Sequence, residues 1–107
     1  MEKNNLMIPI FWLYEISSLE EVKFTLESSN YIKDGYGIEE RNNIYEALQW
    51  AKDNPNYNFK GIMKNAPVPH KLEFSNKEVY DYLMKFKEFM EDKEYEILTD
   101  DRPTIEF

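Results

Sequence analysis

The sequence predicts an α+β fold in which three helices pack against a small antiparallel sheet, with an all-α bundle as the alternative. Amphipathic helical spacing occurs in three places, at residues 19–28, 44–51 and 75–90. Two other stretches, residues 7–16 and 95–98, are rich in the β-branched and aromatic residues that strands favour. The chain of 107 residues shows no internal repeat and no linker-like segment. It therefore predicts a single domain over residues 1–107.

The first element is the apolar run MIPIFWLYEI at residues 7–16, which predicts a buried strand. Pro9 places the start of this strand at a sheet edge, because proline has no backbone N–H to donate. The run is much shorter than a membrane span. It also lacks the small-residue cleavage site of a signal peptide, so we expect neither an anchor nor a leader here.

The second element is a helix predicted at residues 19–28. Ser18 and Glu21 have the spacing of a capping box, in which each side chain accepts a hydrogen bond from the other residue's backbone N–H. Residues 30–38 follow and contain the turn signal Asp34-Gly35 with Gly37, flanked by aromatic and β-branched residues. This stretch predicts either a β-hairpin or an ordered loop between two helices.

The third element is a helix whose apolar face carries two small residues that allow close approach of a neighbour. Asn43 is its predicted cap, and Glu39 and Glu40 suit the partial positive charge of a helix start. The sequence Asp53-Asn54-Pro55 predicts its end. The apolar face consists of Ile44, Ala47, Leu48 and Ala51.

The helix at residues 75–90 has the most consistent local signals. Ser75 and Glu78 form a second capping box, and Phe74 with Val79 has the spacing of a hydrophobic staple. Before this helix, residues 56–70 are predicted to be a loop with a local excess of lysine. The apolar stripe of the helix consists of Val79, Tyr82, Leu83, Phe86, Phe89 and Met90.

The segment from residue 91 onward contains seven acidic residues against Lys93 and Arg102. A short strand is predicted at residues 95–98, followed by a turn at residues 100–103 and an extended piece at residues 104–107. This segment alone accounts for −5 of a net charge of −8. Such a charge repels nucleic acid and anionic membranes, and it favours a basic protein as partner.

The composition offers no visible catalytic apparatus. There is no cysteine, which excludes disulfides, thiolate metal sites and a cysteine nucleophile. His70 is the only histidine, so a histidine pair for a metal is impossible, and a surface or packing role is predicted for it. We therefore expect no enzymatic activity, no cofactor and no metal. Most aromatic residues are predicted to be core, whereas Tyr36, Tyr57 and Tyr95 serve either packing or binding.

Three segments, EALQWA at residues 46–51, NPNYNF at 54–59 and FSNKEV at 74–79, resemble the small acidic immunity proteins of bacterial polymorphic and contact-dependent growth inhibition toxin systems. The resemblance implies a cytoplasmic protein without enzymatic activity that caps a cognate toxin, often a basic nuclease. Two alternatives remain open: a phage-encoded DNA mimic or anti-defence inhibitor, and a plain interaction domain. The oligomeric state is also left open.

An acidic surface facing a basic cleft would fill the positions that phosphates normally take and would speed encounter. The first predicted contact patch lies in the C-terminal segment, and a second lies at the start of the third helix. The first consists of Glu94, Tyr95, Glu96, Asp100 and Asp101, and the second of Glu39 and Glu40.

Overall fold

The computed structural model describes residues 2–64 and 72–101, and within these residues the regular secondary structure is entirely helical, without a strand. The predicted α+β fold is therefore wrong, and the all-helical alternative is the one observed. Four α-helices are joined by short 3-10 turns and connecting segments. They are α1 (Met7–Phe11), α2 (Leu26–Gly35), α3 (Ile38–Asp53) and α4 (Asn76–Glu91).

The N-terminal segment is helical where a strand was predicted. A 3-10 turn at Lys3–Leu6, helix α1 and a second 3-10 turn at Trp12–Glu15 follow one another without a break. Leu6, Ile10 and Leu13 are fully buried, at intervals of four and three residues. This is helical spacing, and burial of that stripe outweighs the strand preference of the individual residues because such preferences depend on context.

The region between residues 18 and 38 contains one correct local prediction and two wrong elements. The Ser18–Glu21 capping box is present, but it closes only the 3-10 turn Leu19–Glu21. The chain then extends through residues 22–25, which brings the ring of Phe24 into a stack on Phe89 with centroids 4.6 Å apart. Helix α2 starts afterwards, so the predicted helix at residues 19–28 and the hairpin at residues 30–38 are both wrong.

Helix α3 begins five residues before its predicted cap. Its N-cap is Gly37, which has no side chain to accept a hydrogen bond from the first turn. Asn43 lies inside the helix and is exposed. Glu39 and Glu40 do lie in the first turn, as predicted. The helix ends at Asp53, which confirms the predicted stop before the proline.

Helix α4 confirms the prediction for residues 75–90 almost residue for residue. Its N-cap Ser75 accepts from the Glu78 N–H at 3.1 Å, and Glu78 Oε1 accepts from the Ser75 N–H at 3.0 Å. All members of the predicted apolar stripe are buried. The helix packs against α3 and α1 and forms the centre of the core.

The capping box gives a direct test of this helix start. Ser75→Ala is expected to destabilise the protein by about 1 kcal/mol, because the Glu78 N–H loses its side-chain acceptor. The change is measured as a shift in the midpoint of urea unfolding. Ser75→Asp is the control, since its carboxylate still accepts from the same N–H; an equal loss in both variants would contradict the capping argument.

The C-terminal segment forms turns over residues 93–99, and the predicted strand at residues 95–98 is wrong. No neighbouring strand pairs with it among the described residues, and its carbonyls accept from side chains instead, as described below. The predicted loop at residues 56–70 contains the 3-10 helix Phe59–Met63. The predicted role of His70 and the extended piece at residues 104–107 fall outside the described residues. No helix within those residues has the length and apolarity needed to cross a membrane.

Candidate functional site

Two buried cations hold the acidic C-terminal segment, residues 92–101, against the body of the protein. Arg41 on α3 is fully buried, and Lys33 on α2 is 4% exposed. Both donate to backbone carbonyls of the acidic segment, from positions 56 and 62 residues earlier in the chain. The segment is therefore fixed by tertiary hydrogen bonds rather than by secondary structure of its own.

Arg41 joins the acidic segment to the connection between α2 and α3. Its Nη1 donates to the Ile97 carbonyl at 2.6 Å, and its Nε donates to the Tyr36 carbonyl at 2.8 Å. Hydrogen bonds from a charged donor are stronger than neutral ones, above all where water is excluded. The contact thus links the first turn of α3, which carries Glu39 and Glu40, to the backbone of the acidic segment.

Lys33 makes the second attachment. Its Nζ donates to the Tyr95 carbonyl at 2.6 Å and lies 3.9 Å from Oδ2 of Asp100. The Asp100 side chain is only 16% exposed, so this carboxylate faces the buried ammonium rather than solvent. Asp100 therefore helps to hold the segment against α2, and its carboxylate is not part of the exposed acidic surface.

The remaining acids of the first patch point outward. Glu94, Glu96 and Asp101 are exposed, as are Glu39 and Glu40 of the second patch. Glu91, just before the segment, differs because it accepts from Lys87 Nζ at 2.7 Å and from the Tyr45 hydroxyl. These contacts lower the pKa of Glu91. Its charge is compensated by Lys87, whereas the outward acids make no ion pair with any residue that the structure describes.

Glu96 has an unusual backbone conformation. Its φ is +53°, the left-handed region that side-chain-bearing residues seldom occupy. Its carbonyl accepts from the Asp100 N–H at 2.8 Å and from the Thr99 N–H at 3.2 Å. These bonds define the turn that presents the carboxylate of Glu96 to solvent.

The three tyrosines left open between packing and binding are all half-buried and in contact with the core. The Tyr95 ring lies 5.2 Å from that of Phe89, and its hydroxyl donates to the Phe24 carbonyl at 3.4 Å. Tyr57 packs against the ring of Trp50, at 4.9 Å between centroids. Packing thus accounts for most of each ring, and only an edge of Tyr95 remains for a partner.

Tyr36 lies in the connection between α2 and α3. Burial raises the pKa of its phenol, and the neighbouring Tyr31 and Glu40 raise it further, because each disfavours a phenolate. Helices α2 and α3, which carry Tyr31 and Glu40, are in contact with each other.

The sequence reading missed Lys33 and Arg41, which hold the site together. One signal was present for Arg41: it lies three residues before Ile44, which itself lies four before Leu48 on the apolar face of α3. A cation on an apolar stripe needs internal acceptors, because burying an unpaired charge is too costly. The acceptors themselves were not visible, since they are main-chain carbonyls far along the chain.

The exposed side chains of the two acidic patches are carboxylates, which suit contact with cations. Within residues 2–64 and 72–101 no group of three or more acidic or histidine side chains is placed to hold a metal ion. The acidic surface is a set of separate carboxylates on a fixed backbone, which suits contact with cations. Comparison of this chain with protein-family models, with curated proteins and with solved structures found no match.

Proposed function

We propose that this protein is a bacterial immunity protein that binds a cognate basic toxin of the nuclease type and occludes its cleft. The inhibitor acts in the cytoplasm and carries out no reaction of its own. The contact surface consists of the exposed carboxylates of the acidic segment, with those at the start of α3 beside them. They are Glu94, Glu96, Asp101, Glu39 and Glu40.

One observation carries the proposal: exposed carboxylates lie on a backbone segment that buried Lys33 and Arg41 hold in place. A fixed segment loses little conformational entropy on binding, so more of the attraction appears as affinity. Long-range attraction between the acidic surface and a basic cleft also raises the association rate. The left-handed backbone at Glu96 supports the same view, since strained positions concentrate at functional sites.

The decisive experiment is neutralisation of a toxin. The chain is tagged and purified from the host that encodes it, and the co-purifying protein is then expressed alone and together with this chain. We expect a basic protein that stops growth alone and is harmless in the co-expressing cells. A partner that is harmless by itself would contradict the proposal, and a nucleic-acid-binding defence protein as partner would favour the DNA-mimic alternative instead.

The contact surface is tested by charge reversal. Glu94→Lys combined with Asp101→Lys is expected to slow association with the toxin about tenfold or more at low ionic strength, and to flatten its salt dependence. The matched control is Glu46→Lys combined with Glu88→Lys, which changes the net charge equally at exposed positions elsewhere. Stopped-flow mixing gives both rates.

Equal slowing by the two double variants would show that only net charge matters, and would remove the acidic segment from the interface. Asp100 is left unchanged in this test because its carboxylate lies beside Lys33 Nζ. A lysine there would place two cations together and disturb the fold.

A further inference from the structure

A cavity of about 300 Å³ opens between the 3-10 turn Trp12–Glu15 and the start of α2. One wall consists of two aromatic rings, Trp12 and Tyr31, whose centroids lie 5.8 Å apart at an interplanar angle of 75°. Tyr31 is 67% exposed, which is unusual for so large a ring, whereas Trp12 is half-buried against Phe86. The cavity therefore offers one fixed ring and one accessible ring to solvent.

The same protein shows elsewhere what such a pair of rings does. Trp50 and Tyr57 meet in a similar edge-to-face arrangement, 4.9 Å apart at 79°. The Nζ of Lys3 lies 5.0 Å from the centroid of each of these two rings. The faces of aromatic rings attract cations, and tryptophan attracts them most strongly. A tryptophan–tyrosine corner in this chain thus accommodates an ammonium group.

No cation from the described residues lies over the second corner, that of Trp12 and Tyr31, although its rim is acidic. Glu15 and Glu27 line the cavity, and neither has a hydrogen-bond or ion-pair partner within the described residues. The hydroxyls of Thr25 and Ser28 are engaged with each other at the start of α2. Two carboxylates and two aromatic rings therefore line the cavity, and each of these groups attracts a positive charge.

We propose that this cavity binds a lysine side chain of a protein partner, with the ammonium group over the Trp12 and Tyr31 rings and between the Glu15 and Glu27 carboxylates. The inference rests on the proposed function in so far as the partner is the basic toxin. Tyr31 of the cavity lies on α2, and Glu40 of the second acidic patch lies in the first turn of α3, which contacts α2. A partner that binds at the start of α3 could therefore also reach the cavity, and the cavity would anchor it.

The test uses a capped tripeptide, acetyl-Gly-Lys-Gly-amide, and needs no toxin. The indole N–H signals of Trp12 and Trp50 are followed by NMR during titration at low ionic strength. We expect the Trp12 signal to shift with saturation, while the Trp50 signal stays in place because Lys3 already occupies that corner. The same tripeptide carrying an acetylated lysine side chain is expected to leave both signals unchanged, since acetylation removes the positive charge.

Two pairs of variants separate the contribution of the carboxylates to peptide binding from that of the Tyr31 ring. Glu15→Gln with Glu27→Gln is expected to weaken peptide binding at least about fivefold, whereas Glu46→Gln with Glu88→Gln, which removes the same charge elsewhere, should not. Tyr31→Leu is expected to weaken binding similarly, and Tyr31→Phe to retain it because the ring face remains. Tyr31 is exposed, so neither change should unfold the protein.

Several results would overturn the proposal: equal Trp12 shifts with the acetylated peptide, no saturable shift with the lysine peptide, or equal weakening by both glutamine pairs. Each of these leaves toxin neutralisation untouched. Conversely, peptide binding without a neutralised toxin would leave a lysine-binding cavity in a protein of another function.

Discussion

Arg41→Met is expected to destabilise the fold by about 3–5 kcal/mol, the range for removing one member of a buried charged hydrogen-bond network. Methionine fills most of the volume, but it leaves the carbonyls of Tyr36 and Ile97 without this donor in a site that excludes water. The free energy of unfolding in urea measures the loss. Asn42→Ala is the matched control, because Asn42 is exposed and its amide donates only to a carbonyl within α3.

Hydrogen exchange in Arg41→Met shows whether the substitution loosens the acidic segment alone or the whole fold. Under conditions where Arg41→Met stays folded, amide hydrogen exchange should accelerate most in residues 92–101, since the segment then keeps only the contacts of Lys33 and of the Tyr95 and Ile97 side chains. Toxin binding should weaken with it. Exchange that accelerates evenly over all four helices would show that Arg41 supports only the core, and would remove the argument for a fixed contact surface.

Phe86→Ala is expected to destabilise the protein by about 3–5 kcal/mol. The substitution removes buried apolar surface and leaves a cavity in the core beside α4. Phe86 is fully buried, and its ring lies 5.2 Å from that of Trp12, 5.6 Å from Phe24 and 5.7 Å from Phe89. It therefore joins the N-terminal helical segment, the extended stretch before α2 and helix α4. Calorimetric unfolding gives the change in stability and melting temperature.

Phe86→Leu and Lys85→Ala are the two controls for this prediction. Leucine keeps most of the apolar volume and should cost about 1.5 kcal/mol or less, and the exposed Lys85 should contribute almost nothing. A loss for Phe86→Ala no larger than that for Phe86→Leu would mean that the ring contacts carry little stability. The proposed binding of a lysine side chain in the Trp12–Tyr31 cavity should also weaken in Phe86→Ala, since the Trp12 ring packs against Phe86.

The sequence predicted α4 well because three independent signals agreed there: a capping box, a staple and an apolar stripe. At residues 7–16 the signals conflicted. The β-branched and aromatic composition indicated a strand, whereas the spacing of Leu6, Ile10 and Leu13 was helical, and burial of that stripe decided the outcome. At residues 95–98 the weak alternation indicated a strand, but no strand pairs with this segment within the described residues, and it forms turns.

Only part of the candidate contact surface could be predicted from the sequence. A run of acids near the C-terminus is visible in one dimension, so Glu94, Glu96 and Asp101 could be selected. The distinction between these and Asp100 could not be made, because it depends on Lys33 approaching from another helix. The Trp12–Tyr31 cavity was missed for the same reason, since its rings come from separate helical segments.

The attachment of residues 92–101 to Lys33 and Arg41 has a consequence for biosynthesis. Lys33 and Arg41 are synthesised 62 and 56 residues before the carbonyls of Tyr95 and Ile97 that accept from them. Both cations must therefore stay hydrated while the intervening residues, including all of α4, are made. The acidic segment can take its fixed position only after the four helices have been synthesised.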